Sequence, residues 1–193
     1  FPGGTAQLVA RGPRGLIVAL DGDQSFVQLF PNNAAAQAYM IQLAGAVSDI
    51  YIRELNMRLW VTFFRTWPAG GEPFPASDLQ GFRNYWIANE ETDGINLVHL
   101  LSGRRNLSYG GVAFLADACN GFGFGISGFL LGSFPSNLGP PHLGNWDVDV
   151  MAHEMGHNLG TPHTHDYVPP IDQCTTGVME RGTIMSYCHT NPI

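Results

Sequence analysis

The stretch that decides how this chain is read is His153-Glu154-Met155-Gly156-His157-Asn158-Leu159-Gly160-Thr161-Pro162-His163. Its first two histidines stand four residues apart, so a helix carries them on one face, where both imidazoles reach a single ion at about 2.0–2.1 Å. Gly160 lets that helix end in a left-handed turn and Pro162 discourages its resumption, which swings His163 back as a third ligand. Three neutral histidines leave an ion positively charged with one position open, a donor set that suits zinc in a catalytic role better than in a closed structural one. Glu154, next to the first ligand, is placed to take a proton from an attacking water. From the chain's own composition, the chance of these residue types falling at these offsets is about 3 in 100,000, so coincidence is the weaker reading.

Upstream of that helix the pattern alternates. Gly15 to Leu20 is a continuous apolar run ending at Asp21-Gly22-Asp23, which predicts a buried strand closed by a turn. Asn33 to Leu55 carries good helix formers with apolar positions three or four apart, a long amphipathic helix. Leu59 to Phe64 predicts a second strand, Ser77-Asp78 opens a second helix through Phe82 and Trp86, and Ile95 to Leu101 predicts a third strand. Strand, helix, strand, helix, strand implies an α/β fold with a mainly parallel sheet and helices on its faces. Residues 110 to 116 and 124 to 131 read as two further strands, and Phe134 to Asn145 as a loop. Asp147 and Asp149 read as caps of the histidine-bearing helix that complement its dipole.

Composition narrows the class. The 193 residues match one ordinary domain, and 45% hydrophobic content supplies a core. The net charge of −7 comes with no lysine and nine scattered arginines, which argues against nucleic acid as a partner. No apolar run long enough to span a membrane occurs, and Phe1-Pro2-Gly3-Gly4 lacks the pattern of a signal peptide, so a mature or trimmed product is expected. Cys119, Cys174 and Cys188 fit no paired metal or redox spacing; one disulfide and one leftover thiol is the simplest account, and it favours an oxidising compartment.

His153 to His163 matches in full the long zinc motif H-E-x-x-H-x-x-G-x-x-H of the metzincins. Gly182-Thr183-Ile184-Met185-Ser186-Tyr187 resembles the Met-turn that lies beneath the metal in those enzymes, with Met185 as its methionine. Leu16 to Asp21, the helix to Glu54, Asn96-Leu97-Val98-His99-Leu100, Gly111 to Cys119 and His157-Asn158-Leu159-Gly160 are most similar to the adamalysin or reprolysin-like group. The resemblance implies a metzincin catalytic domain with a five-stranded, mostly parallel twisted sheet and a zinc-bearing helix. It implies a secreted endopeptidase with one Zn2+ held by His153, His157 and His163 and with Glu154 as general base and acid.

It also implies one domain over residues 1–193, with an upper subdomain over 1–160 and a lower subdomain over 161–193; the chain stops at Ile193, so a C-terminal helix is expected to be absent. Protein or peptide substrates, and a pro-segment or further domains outside this chain, are the implied partners.

Three departures from that group stand out. Thr164 follows the third histidine where the group has aspartate, with His165 and Asp166 next. Tyr187 is shared instead with astacins, serralysins and some pappalysins, where it hydrogen-bonds the oxyanion; a packed core tyrosine is the other reading. Asp93 stands at a calcium-binding position of the group, but its partner glutamate is replaced by Gly15, which argues against calcium.

Gly110, Gly111, Val112 and Ala113, continuing to Leu115, are expected to form an antiparallel edge strand over the cleft, able to pair with an extended peptide; an edge covered by its own loop is the alternative. A Cys174–Cys188 bridge would clamp His163 to Met185 and contribute about 3 kcal/mol. His142, His165 and His189 read as surface or hydrogen-bonding residues rather than ligands. A non-catalytic, secreted zinc-stabilised binding module is the competing function; it would need a fourth protein ligand, Tyr187 or His165, and it leaves Glu154 without a purpose.

Overall fold

The computed structural model describes residues 12–116, 118, 123–136, 144–172 and 182–187. The five strands are β1 (Arg14–Gly22), β2 (Met57–Thr66), β3 (Leu97–Leu101), β4 (Gly111–Ala113) and β5 (Gly123–Ser127). They form one sheet in the order β2-β1-β3-β5-β4, parallel except for β4, which runs antiparallel to β5. Strands buried on both faces read as unbroken apolar runs, which is why Leu16 to Leu20 and Leu97 to Leu101 lack alternation.

Helix α1 (Gln24–Val27) is a single turn, α2 is Asn33–Leu55, α3 is Leu79–Asn89 and α4 is Trp146–Asn158. Asn32 caps α2 through its side chain on the Ala35 amide, and Asn56 ends it in a left-handed conformation at φ 53°. Its buried face, Ala36, Tyr39, Met40, Leu43, Val47 and Tyr51, recurs at three- and four-residue steps and packs with Val148, Met151 and Met155 of α4. Phe82 and Trp86 of α3 pack on the opposite face with Ala19, Val98, Phe124 and Ile126.

Two local expectations need correction. The first strand is not closed by a turn at Asp21: Asp21 and Gly22 belong to β1, and Asp23 caps α1. Asp21 is fully buried yet satisfied, because Arg65 grips both its oxygens at 2.8 Å and Trp86 Nε1 donates at 2.6 Å. Its opposition to Arg65 depends on a register shift between Val18 and Ala19, after which Phe63 and Arg65 face α3, whereas Leu59 and Val61 face α2. The last two strands are also shorter or shifted. The expected 110–116 contracts to Gly111–Ala113, although Gly128 N still donates to Gly110 O, and the expected 124–131 becomes Gly123–Ser127.

Candidate active site

Helix α4 is held by residues far away in sequence. Tyr39 and Tyr51 of α2 donate their hydroxyls to Asp147 Oδ2 at 2.5 Å and to Ala152 O at 2.7 Å. Asp147, read from sequence as a cap, does something else. The cap position is Asn145, without a side-chain cap bond, whereas Asp147 is fully buried and also accepts from the amides of Leu131 and Gly132. A buried carboxylate with three donors ties the helix start to α2 and to the loop after β5. At the far end Asn158 is fully buried and donates to Phe114 O and Phe124 O at 2.8 and 3.0 Å, anchoring the helix over β4 and β5.

The helix stops as the glycine requires. Gly160 has φ 95°; its amide donates to His157 O and the Thr161 amide donates to Gly156 O, the paired bonds of a Schellman ending. The reversal brings three imidazoles together: ring centroids lie 4.7 Å apart for His153–His157, 4.6 Å for His157–His163 and 5.1 Å for His153–His163. His157 Nδ1 lies 2.7 Å from Thr161 O, and His153 Nδ1 lies 2.7 Å from Ile184 O. A carbonyl only accepts, so each Nδ1 carries the proton and each Nε2 keeps its lone pair. His163 Nδ1 lies 3.4 Å from Asp166 Oδ2, which orients the third ring through a short 3-10 turn, Thr164–Asp166.

This arrangement fits a metal ion. The Nε2 atoms of His157 and His163 are only 3.1 Å apart. Two inward lone pairs at that range repel unless a cation is shared; two ligands on a tetrahedral zinc at about 2.05 Å stand about 3.3 Å apart. Burial, then the neighbouring His157 and His165, lowers the pKa of His163, favouring the neutral, ligating form. Among the described residues His163, His165 and Asp166 form a second group with metal-ligand spacing, but it shares His163 with the first.

Glu154 is 4% exposed, and its Oε2 is buried without a hydrogen-bond partner among the described residues. Burial pushes its pKa up to about 8; a cation on the adjacent imidazoles opposes that shift. Its position needs Gly111, since a Cβ there would fall 2.3 Å from Glu154 Oε1. The carboxylate thus sits against the edge strand, where an extended peptide would lie.

Beneath the histidines, Met185 is buried with its sulfur against Gly156, where a Cβ would come within 2.5 Å. Its carbonyl accepts from the Thr164 amide at 3.1 Å, so the turn at 182–187 braces both the helix and the third-ligand segment. Tyr187 is exposed, with its ring 4.6 Å from that of His163 and 6.3 Å from that of His153. Burial, then Glu154 and Asp166, raises its pKa and keeps the phenol protonated.

A cleft of about 940 Å³ runs between β4 and α4, with Gly110 to Ala113 on one wall, the three histidines and Glu154 at its floor, and Tyr187 at its rim. Every residue expected at the site except the cysteines therefore lies around one cavity or directly beneath it. Cys119, Cys174, Cys188, His142 and His189 lie outside the described residues. Asp93 is exposed before β3, next to Gly94 at φ 78°. Sequence reading missed Asn158, Gly156, Tyr39 and the real role of Asp147. Asn158 and Gly156 lie within the opening motif, but nothing local announces partners tens of residues away.

The fold and the site define a metallohydrolase-type centre: a three-histidine cluster with an acid beside its first member, on a helix under the edge of a mostly parallel sheet. Comparison with known families places the chain further. Residues 14–192 match the family described as Reprolysin_5, Metallo-peptidase family M12, and the chain belongs to that family. No curated protein matches. Among solved structures, "Structure of a chaperone-substrate complex" is similar at 18% identity and TM-score 0.51, covering 78% of this chain and 27% of that one; the likeness is one of fold. Metalloproteinase-II from Bacteroides fragilis aligns at 19% identity and TM-score 0.46 over 81% of this chain and 46% of that one. The chain thus spans less than half the length of either.

Proposed function

We propose that this chain is the catalytic domain of a secreted zinc endopeptidase, with His153, His157 and His163 holding the ion and Glu154 acting as general base and acid. The observation that carries the proposal is the open, buried Oε2 of Glu154 beside three converging imidazoles in a cleft bordered by an edge strand. A structural metal site has no use for such a carboxylate. A zinc ion held there supplies a Lewis acid for the scissile carbonyl and makes water a nucleophile near neutral pH.

The chain's own residues do the rest. The outer edge of β4, with no strand beside it among the described residues, aligns an extended peptide by backbone pairing, and the missing side chain of Gly111 lets that backbone approach Glu154. Glu154 takes the proton of the attacking water and delivers it to the leaving amine, which is why its desolvated setting matters. Tyr187, protonated and exposed beside His163, donates a hydrogen bond to the developing oxyanion. The division into two subdomains at about residue 160 belongs to the proposal, because the cleft takes Pro162, His163, Asp166 and Tyr187 from the second of them. So does the Cys174–Cys188 bridge, the support for an extracellular setting, which mass spectrometry before and after reduction tests.

Glu154→Gln is expected to keep one zinc per chain and a native unfolding transition while cleavage of denatured protein disappears. Full residual activity in that variant would overturn the assignment of Glu154. A fourth protein ligand found by metal spectroscopy would favour the non-catalytic module.

A further inference from the structure

We infer that Asp166 and His165 are positioning residues for the metal: the Asp166 carboxylate, set between the edges of the His163 and His165 rings, fixes which nitrogen of the third ligand faces the ion and strengthens that nitrogen as a donor. This role rests on the reading of His153, His157 and His163 as zinc ligands and deepens it.

The three ligating rings are not held alike. His153 and His157 sit on α4, and each has a backbone carbonyl 2.7 Å from its Nδ1. His163 lies beyond the helix end, on backbone that runs straight into the 3-10 turn Thr164–Asp166. The group that faces its Nδ1 is instead a carboxylate, Asp166 Oδ2 at 3.4 Å. Local geometry accounts for the meeting, because side chains three apart in a 3-10 turn eclipse one another. The Asp166 amide closes that turn on His163 O at 3.0 Å. Thr164, the residue between helix and turn, points elsewhere: it is buried, with its amide on Met185 O at 3.1 Å.

The carboxylate has a second neighbour. Its Oδ1 lies 3.7 Å from His165 Nε2, and the His165 ring stacks on that of His163 with 7° between the planes and 5.1 Å between the centroids. An imidazole lone pair lies in the plane of its ring, so one ion bound to both rings would have to lie in both planes, which stacked parallel rings forbid. His163, His165 and Asp166 therefore serve the first metal site and do not form another. His165 covers one face of the third ligand and stands against the outer oxygen of its carboxylate partner.

A carbonyl and a carboxylate both accept from Nδ1 and so leave Nε2 with its lone pair. Only the carboxylate also stabilises the positive charge that the ring gains when it binds a cation, which makes His163 the better donor. The Asp166 side chain is 53% exposed, so water screens part of this effect and the low end of the range for such outer partners applies, about tenfold in metal affinity.

Zinc affinity is measured by competition with a chromophoric chelator. Asp166→Ala and Asp166→Asn are each expected to weaken zinc about tenfold, to shift the visible absorption of the cobalt-substituted protein, and to leave urea unfolding of the metal-free protein unchanged. His165→Ala should weaken zinc by less, and should add nothing in the Asp166→Ala background, since it acts through the carboxylate. Additive losses overturn the part given to His165. Unaltered zinc affinity in both Asp166 variants overturns the positioning role while the three-histidine site stands. A loss of zinc matched by lower stability of the metal-free protein overturns it too, by making Asp166 a folding residue. Absence of zinc binding by the unaltered protein sinks the zinc reading itself.

Discussion

Gly156 is where the helix bearing two histidines touches the turn beneath it, and Gly156→Ala tests whether that contact sets the metal site. A Cβ added there falls 2.5 Å from Met185 Sδ and 3.4 Å from its Cε, about 1 Å inside ordinary contact for the sulfur. Overpacking of this kind costs about 1–3 kcal/mol, against about 1 kcal/mol gained from alanine's helix propensity. The expected net loss is therefore about 0–2 kcal/mol, toward the low end if the pliable thioether gives way.

The turn has little room to retreat, because the Met185 carbonyl accepts from Thr164 N and the neighbouring Ile184 carbonyl holds His153 Nδ1 at 2.7 Å. Displacing a carbonyl that orients a ligand should lower zinc affinity about 10–100-fold, read by competition with a chromophoric chelator. Urea unfolding of the metal-free protein gives the stability arm. In a Met185→Ala background the clash is gone, so Gly156→Ala should stabilise by up to about 1 kcal/mol, a coupling of about 1–3 kcal/mol between the two sites. Equal stabilisation in both backgrounds with unchanged zinc affinity would refute the reasoning.

Asn158→Ala leaves the carbonyls of Phe114 and Phe124 without their side-chain donor and is expected to cost about 2–4 kcal/mol in urea unfolding; a loss below about 0.5 kcal/mol would mean that water replaces the amide. His99 is fully buried beside Ser127 Oγ, and desolvation lowers its pKa to about 3. A base depressed in the folded state contributes stability that is present above its unfolded pKa of about 6.5 and is lost as pH falls toward 3. Relative to His99→Gln, the unaltered protein should therefore lose about 2 kcal/mol between pH 7 and pH 5; parallel pH curves for the two proteins would show that His99 charges without penalty. Tyr187→Phe should lower kcat about 10–100-fold with little change in KM if the phenol serves only the oxyanion, and a rise in KM alone would make it a binding residue.

What the sequence could determine by itself was whatever depends on local periodicity. The four-residue spacing of His153 and His157 follows from the helical repeat, and the stop at Gly160 follows from the cost of left-handed backbone for other residues. The bounds of α2 and the opening of α3 just after Ser77-Asp78 were legible for the same reason, as was the strand–helix alternation that produces a parallel sheet. Where the local signal was ambiguous the reading drifted: Asp21-Gly22 looks like a turn, and only the shifted pairing with β2, which sets Arg65 opposite Asp21, turns it into strand.

Tertiary structure alone decided what makes the histidine cluster a site. Tyr39 reaches Asp147 across 108 positions, Ile184 holds His153 across 31, and Gly111 shelters Glu154 from another element altogether. Such contacts depend on which surfaces close against one another, and close packing lets one missing methyl group, at Gly111 or Gly156, decide whether a carboxylate or a sulfur fits. The sequence names the ligands and the base because a helix puts them together. Their orientation and their burial arise only when the sheet, α2, α4 and the turn at Met185 come together.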